Sequence, residues 1–101
     1  MTTDFLNPLK NFNEAELHIK RLLEEAISRY GSEHVDLNLE SIEGQDEPVL
    51  SIIYHSPQNS FGIHSGLSTQ GINFKHMDRL ADALDIGFND YDANFDWRTQ
   101  V

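Results

Sequence analysis

The sequence predicts an α+β fold, a two-layer sandwich in which a helix, a three-stranded antiparallel meander and a second helix follow one another, with an acidic aromatic C-terminal tail. Three observations predict it. Apolar residues recur at helical spacing between Asn13 and Tyr30, strand periodicity appears three times between His34 and Leu67, and a second helical stripe runs from Phe74 to Leu84. At 101 residues the chain has the length of one domain, 1–101, able to bury a single core.

The first helix is the clearest element. Ile19, Leu22, Leu23, Ala26, Ile27 and Tyr30 fall on one face at i, i+3, i+4 spacing. Asn13 as N-cap with Glu16 three residues later has the form of a capping box, and Phe12 can staple onto Leu17. Gly31 supplies a left-handed C-cap. In the next stretch, HVDLNLE, Val35, Leu37 and Leu39 alternate with His34, Asp36, Asn38 and Glu40, which predicts a strand with one wet, acidic face. EGQDEP is turn chemistry. VLSIIYH has no clearly polar face and is expected to lie centrally in the sheet, covered on both sides. After the turn SPQN, FGIHSGL places Phe61, Ile63 and Leu67 on one face of a glycine-weakened third strand. Asn73 can cap the second helix, whose Phe74, Met77, Leu80, Ala81 and Leu84 form the buried stripe, with an end expected near Gly87.

Composition narrows the chemistry. Hydrophobic residues are 39% and charged residues 24% of the chain, a globular rather than disordered profile. The absence of cysteine removes disulfides, thiolate metal sites and a cysteine nucleophile, and favours a reducing compartment. MTTDFLNPLKNFN lacks a basic stretch followed by an apolar one, and no apolar run approaches the length of a membrane span, so a cytoplasmic protein without membrane contact is expected.

Five histidines, His18, His34, His55, His64 and His76, show no ligand spacing of the H-x3-H kind. His55 and His64 lie on neighbouring predicted strands, and a metal or acid–base pair formed by them is the enzymatic alternative. DYDANFD places Asp90, Asp92, Asn94 and Asp96 at alternate positions, as in a calcium loop, but Phe95 stands where the turn needs glycine and Val101 where a bidentate glutamate belongs. MDRLADALDI has no preceding helix with which to build a helix-turn-helix. The helix–three-strand–helix order is also that of double-stranded-RNA-binding domains, whose contacts need basic groups. Here Lys75 and Arg79 are balanced by Asp78 and Asp82, so the order marks a common topology and not membership of that family. Nothing has the form of a phosphate-binding loop or a nucleophile elbow. The expectation is a binding protein rather than an enzyme, with no catalytic residue, no bound metal and no cofactor.

Seventeen acids stand against seven bases, for a formal charge of −10. A phosphate backbone would repel such a chain, so direct nucleic-acid binding is not expected. The charge is concentrated. Glu33, Asp36, Glu40, Glu43, Asp46 and Glu47 fall between residues 31 and 60 with no lysine or arginine, and Asp85, Asp90, Asp92 and Asp96 face only Arg98 at the C-terminus. Outward residues on a strand repeat at about 6.6 Å, roughly two phosphate steps of a duplex strand. A rigid acidic edge of this kind would fit a groove that handles nucleic acid.

The tail GFNDYDANFDW adds four rings. Phe88, Tyr91 and Phe95 would align on a helix, Phe95 and Trp97 on an extended segment. Buried rings remove about 150–250 Å² each from water, so the tail is expected to dock, either on the outer sheet face carrying Val49 and Ile53 or on a partner. The candidate partner-binding residues are therefore Asp36, Glu40, Glu43, Asp46, Glu47, Asp90, Tyr91, Asp92, Phe95, Asp96 and Trp97. Together they point to a small acidic inhibitor that occludes the nucleic-acid-handling surface of a basic partner, an enzyme or complex, as an anti-CRISPR or anti-restriction protein would. The alternatives are an immunity protein that caps a basic nuclease toxin and a small metal-dependent enzyme using His55 and His64. A homodimer is compatible with each.

Overall fold

A computed structural model of the chain describes residues 12–44 and 46–90. Helix α1 (Glu14–Tyr30) leads through a single helical turn (Ser32–His34) into strands β1 (Val35–Glu40), β2 (Val49–His55) and β3 (Ser60–Ser68). Helix α2 (Phe74–Ala83) follows, and strand β4 (Gly87–Asp90) closes the described chain. The expected helix–strands–helix order is present, within a four-stranded mixed sheet of order β3-β2-β1-β4. The meander is antiparallel, and β4 runs parallel to β1.

The fourth strand corrects two sequence expectations. The first concerns where α2 stops. Its last turn closes with the Asp85 N–H on the Asp82 carbonyl and the Ile86 N–H on the Ala81 carbonyl, at 3.2 and 3.0 Å, while Asp85 takes φ 59. That bonding pattern is a Schellman cap. Aspartate tolerates the left-handed conformation that usually selects glycine, so the helix ends at Ala83 and Gly87 is left to open a strand. The second concerns Phe88, which lies in that strand opposite Leu37 and packs against the core beneath the helices. It is neither on a helix nor on the outer face with Val49 and Ile53.

α1 begins as the capping box requires. The Asn13 side chain accepts the Glu16 N–H at 2.9 Å, and the Asn13 N–H donates to the Glu16 carboxylate at 3.0 Å. The helix ends on Gly31 at φ 89 and ψ 144, a region open to glycine rather than the left-handed helical one. A Cβ there would collide with the Glu33 carboxylate.

The core forms on one face of the sheet. Leu37, Leu39, Leu50 and Ile52 meet Ile19 and Leu23 of α1 and Phe74, Met77 and Leu80 of α2 in a single cluster. Leu23, Leu37, Leu50 and Met77 have no solvent exposure. β2 is central, and Val49 and Ser51 on its opposite face are also buried. The outward row of β1, namely Asp36, Asn38 and Glu40, lies across from Ile53, Ser51 and Val49 of β2.

Candidate interaction site

β1 lies inside the sheet, with β2 on one side and β4 on the other, so its acids do not form the sheet edge that strand alternation alone suggests. They divide between its two ends. Glu40, at the end of β1, is half-buried, and Glu43, Asp46 and Glu47 in the following turn are exposed. The parallel register sets Asp90 opposite Leu39, so the last described acid reaches the same end of the sheet as the hairpin turn. Asp90, on the same face as Leu39, and Glu40, in the outward row, thus lie at one end of the sheet although fifty residues separate them in sequence. In sequence, no lysine or arginine occurs between Arg29 and Lys75, the interval that holds Glu40, Glu43, Asp46 and Glu47.

Asp36 belongs to a different arrangement. Its carboxylate meets His55 Nε2 at 3.2 Å and the Asn89 amide at 3.3 Å, and the same amide donates to the Asn38 side chain at 2.9 Å. A polar row therefore crosses β2, β1 and β4 on the outward face and fastens β4 to the sheet. Half-buried like Glu40, Asp36 has its carboxylate held between His55 and Asn89.

The opposite end gathers rings. Tyr30 at the end of α1, Tyr54 near the end of β2 and Phe61 near the start of β3 form a triangle with centroid separations of 4.8, 4.9 and 6.2 Å. His34 lies against Tyr54 at 5.7 Å and donates from Nδ1 to the His55 carbonyl at 3.0 Å. Phe61 is 47% exposed, a large ring left half in water.

His55 and His64 are not brought together. His55 is registered opposite Ser60 and turns outward to Asp36, whereas His64 is opposite Ile52 and lines a depression with Leu22, Ala26 and Tyr30 of α1. The two rings occupy opposite faces of the sheet. Among the described residues no group of three or more histidine and carboxylate side chains converges as a metal site. Tyr91, Asp92, Phe95, Asp96 and Trp97 lie outside the described residues.

One buried constellation had no sequence signal beyond the capping box. Glu16 is 1% exposed and accepts the backbone N–H of Asn73, the N-cap of α2, at 2.8 Å, in addition to that of Asn13. His76 donates from Nδ1 to the same carboxylate at 3.0 Å, and the Phe12 ring stacks on His76 at 5.2 Å. One anion thereby serves two helix N-termini, where both the free N–H groups and the helix dipoles favour negative charge. The two asparagine caps are visible in sequence, but nothing in either segment signals that they share an acceptor.

Among the described residues no helix is long and apolar enough to cross a membrane. Comparison with protein families, curated proteins and solved structures found no match to the chain.

Proposed function

We propose that the chain is a small acidic protein-binding inhibitor whose acidic end occludes the basic, nucleic-acid-handling surface of a partner protein, in the manner of anti-CRISPR or anti-restriction proteins. The observation that supports it is the parallel pairing of β4 with β1, which sets Asp90 at the end of the sheet that carries Glu40, Glu43, Asp46 and Glu47. Glu40 and Asp90 are held on paired strands and Glu43, Asp46 and Glu47 on the turn beside them, and a surface rich in one sign of charge steers a basic partner and raises its rate of encounter. An immunity protein that caps a basic nuclease toxin would use the same surface in the same way.

The test compares two baits in the same lysate, the wild-type chain and the Glu40→Lys, Glu43→Lys, Asp46→Lys triple variant. A basic nucleic-acid-handling protein retained in stoichiometric amount by the wild type, eluted by salt and lost with the variant, supports the proposal. Retention that is identical for both baits, or no retained protein at all, overturns it.

A further inference from the structure

The aromatic corner lies at the far end of β1 from the acidic turn, roughly 17 Å away by the rise of a strand. Its composition is specific. Tyr30, Tyr54 and Phe61 contact one another, and Phe61 keeps nearly half its surface in water. The Glu33 carboxylate folds over Gly31, the residue that follows Tyr30, where a Cβ would collide with it. The Glu33 side chain is 73% exposed, and its contact with His34 Nε2 at 3.8 Å is too long for a hydrogen bond.

We infer that this corner receives an arginine side chain of the basic partner, whose guanidinium stacks on the exposed Phe61 ring and donates hydrogen bonds to the Glu33 carboxylate. The inference rests on the proposal that the partner is basic, and adds a second contact at the other end of the sheet. Three features select the ligand. Ring faces carry partial negative charge and attract cations. Ring separations of 4.8 to 6.2 Å leave no gap to enclose a round ammonium group, so the ligand must lie flat on the outside. A guanidinium is planar and presents paired donors that suit a carboxylate, whereas a lysine ammonium is a compact, strongly hydrated point charge. The chain's own nearby arginine, Arg29, lines the neighbouring depression with Leu22, Ala26 and His64.

The experiment titrates the isotope-labelled full chain with acetyl-Gly-Arg-Gly-amide and follows it by NMR, with the lysine and norleucine analogues as parallel arms. Shifts on the rings of Tyr30, Tyr54 and Phe61 and on Glu33 are expected with the arginine peptide, smaller ones with lysine and none with norleucine. Phe61→Ala and Glu33→Gln should each weaken arginine binding about two- to fivefold. Glu33→Gln changes only an exposed side chain and keeps the test valid if Phe61→Ala disturbs β3. Equal response to norleucine would show a plain apolar patch and overturn the inference. Shifts confined to the residues around Glu43 and Asp46 would also overturn it while leaving the acidic-end proposal standing, and the absence of any response would count against both.

Discussion

The carboxylate of Glu16, in the first turn of α1, accepts the backbone N–H of Asn73, 57 residues later, at 2.8 Å. Because the same group also accepts from Asn13 and His76, the two helices start from one buried anion. Replacing it leaves two part-buried backbone donors and the imidazole of His76 without their shared acceptor. Glu16→Ala is therefore expected to cost about 3–5 kcal/mol in urea denaturation, as removal of one partner from a buried charged network does. Glu16→Gln should cost less, since one amide oxygen still accepts. A loss under about 1 kcal/mol for the alanine variant would mean that the helix starts are held by other contacts.

Leu23 has no exposed surface and sits where α1 meets the sheet. Leu23→Ala removes its transfer free energy and leaves a cavity, for an expected loss of about 2–5 kcal/mol. A loss below about 0.5 kcal/mol would contradict the packing of this helix on Leu37 and Leu39.

The contacts of Asp36 predict that it acts on the fold. Asn89→Ala removes the amide that bridges Asp36 and Asn38 and should lower amide-exchange protection in β4 at a cost of about 0.5–1.5 kcal/mol. β2 and β3 should keep their protection. Asp36→Lys should lower stability by placing a cation beside His55, and equal protection of β4 in wild type and both variants would show that the row does not fasten the strand.

Reversal at Glu40, Glu43 and Asp46 is expected to do the opposite, leaving the melting temperature close to that of the wild type because these groups are exposed or half-buried and lack a basic neighbour in sequence. Once the partner is in hand, stopped-flow association should slow strongly for this variant, and added salt should slow the wild type. An on-rate indifferent to both changes would reduce the acidic end to a solubility device.

Each element built on local order was legible in the sequence. The period of the apolar residues marks α1, α2 and the three strands of the meander, and the capping residues Asn13 and Asn73 carry their bonding instructions within three residues of themselves. Charge was legible in amount and in position along the chain. Its placement in space was not, since alternation along β1 says which residues point outward and nothing about whether the strand lies at an edge.

That decision belonged to β4. Four residues, Gly87–Asp90, have too little periodicity to announce a strand, and they pair with β1 only because α2 crosses the sheet and the left-handed turn at Asp85 redirects the chain. The same pairing packed Phe88 against the core, tied Asp36 to Asn89 and carried Asp90 to the hairpin end. The sequence by itself determined the helices, the meander and the excess of acid, because these follow from hydrophobic period, capping and composition within short windows. Only the tertiary structure decided which acids stand together, which one is held in a polar row, and that one buried glutamate starts two helices, because each of these depends on contacts between residues about fifty positions apart that no local pattern encodes.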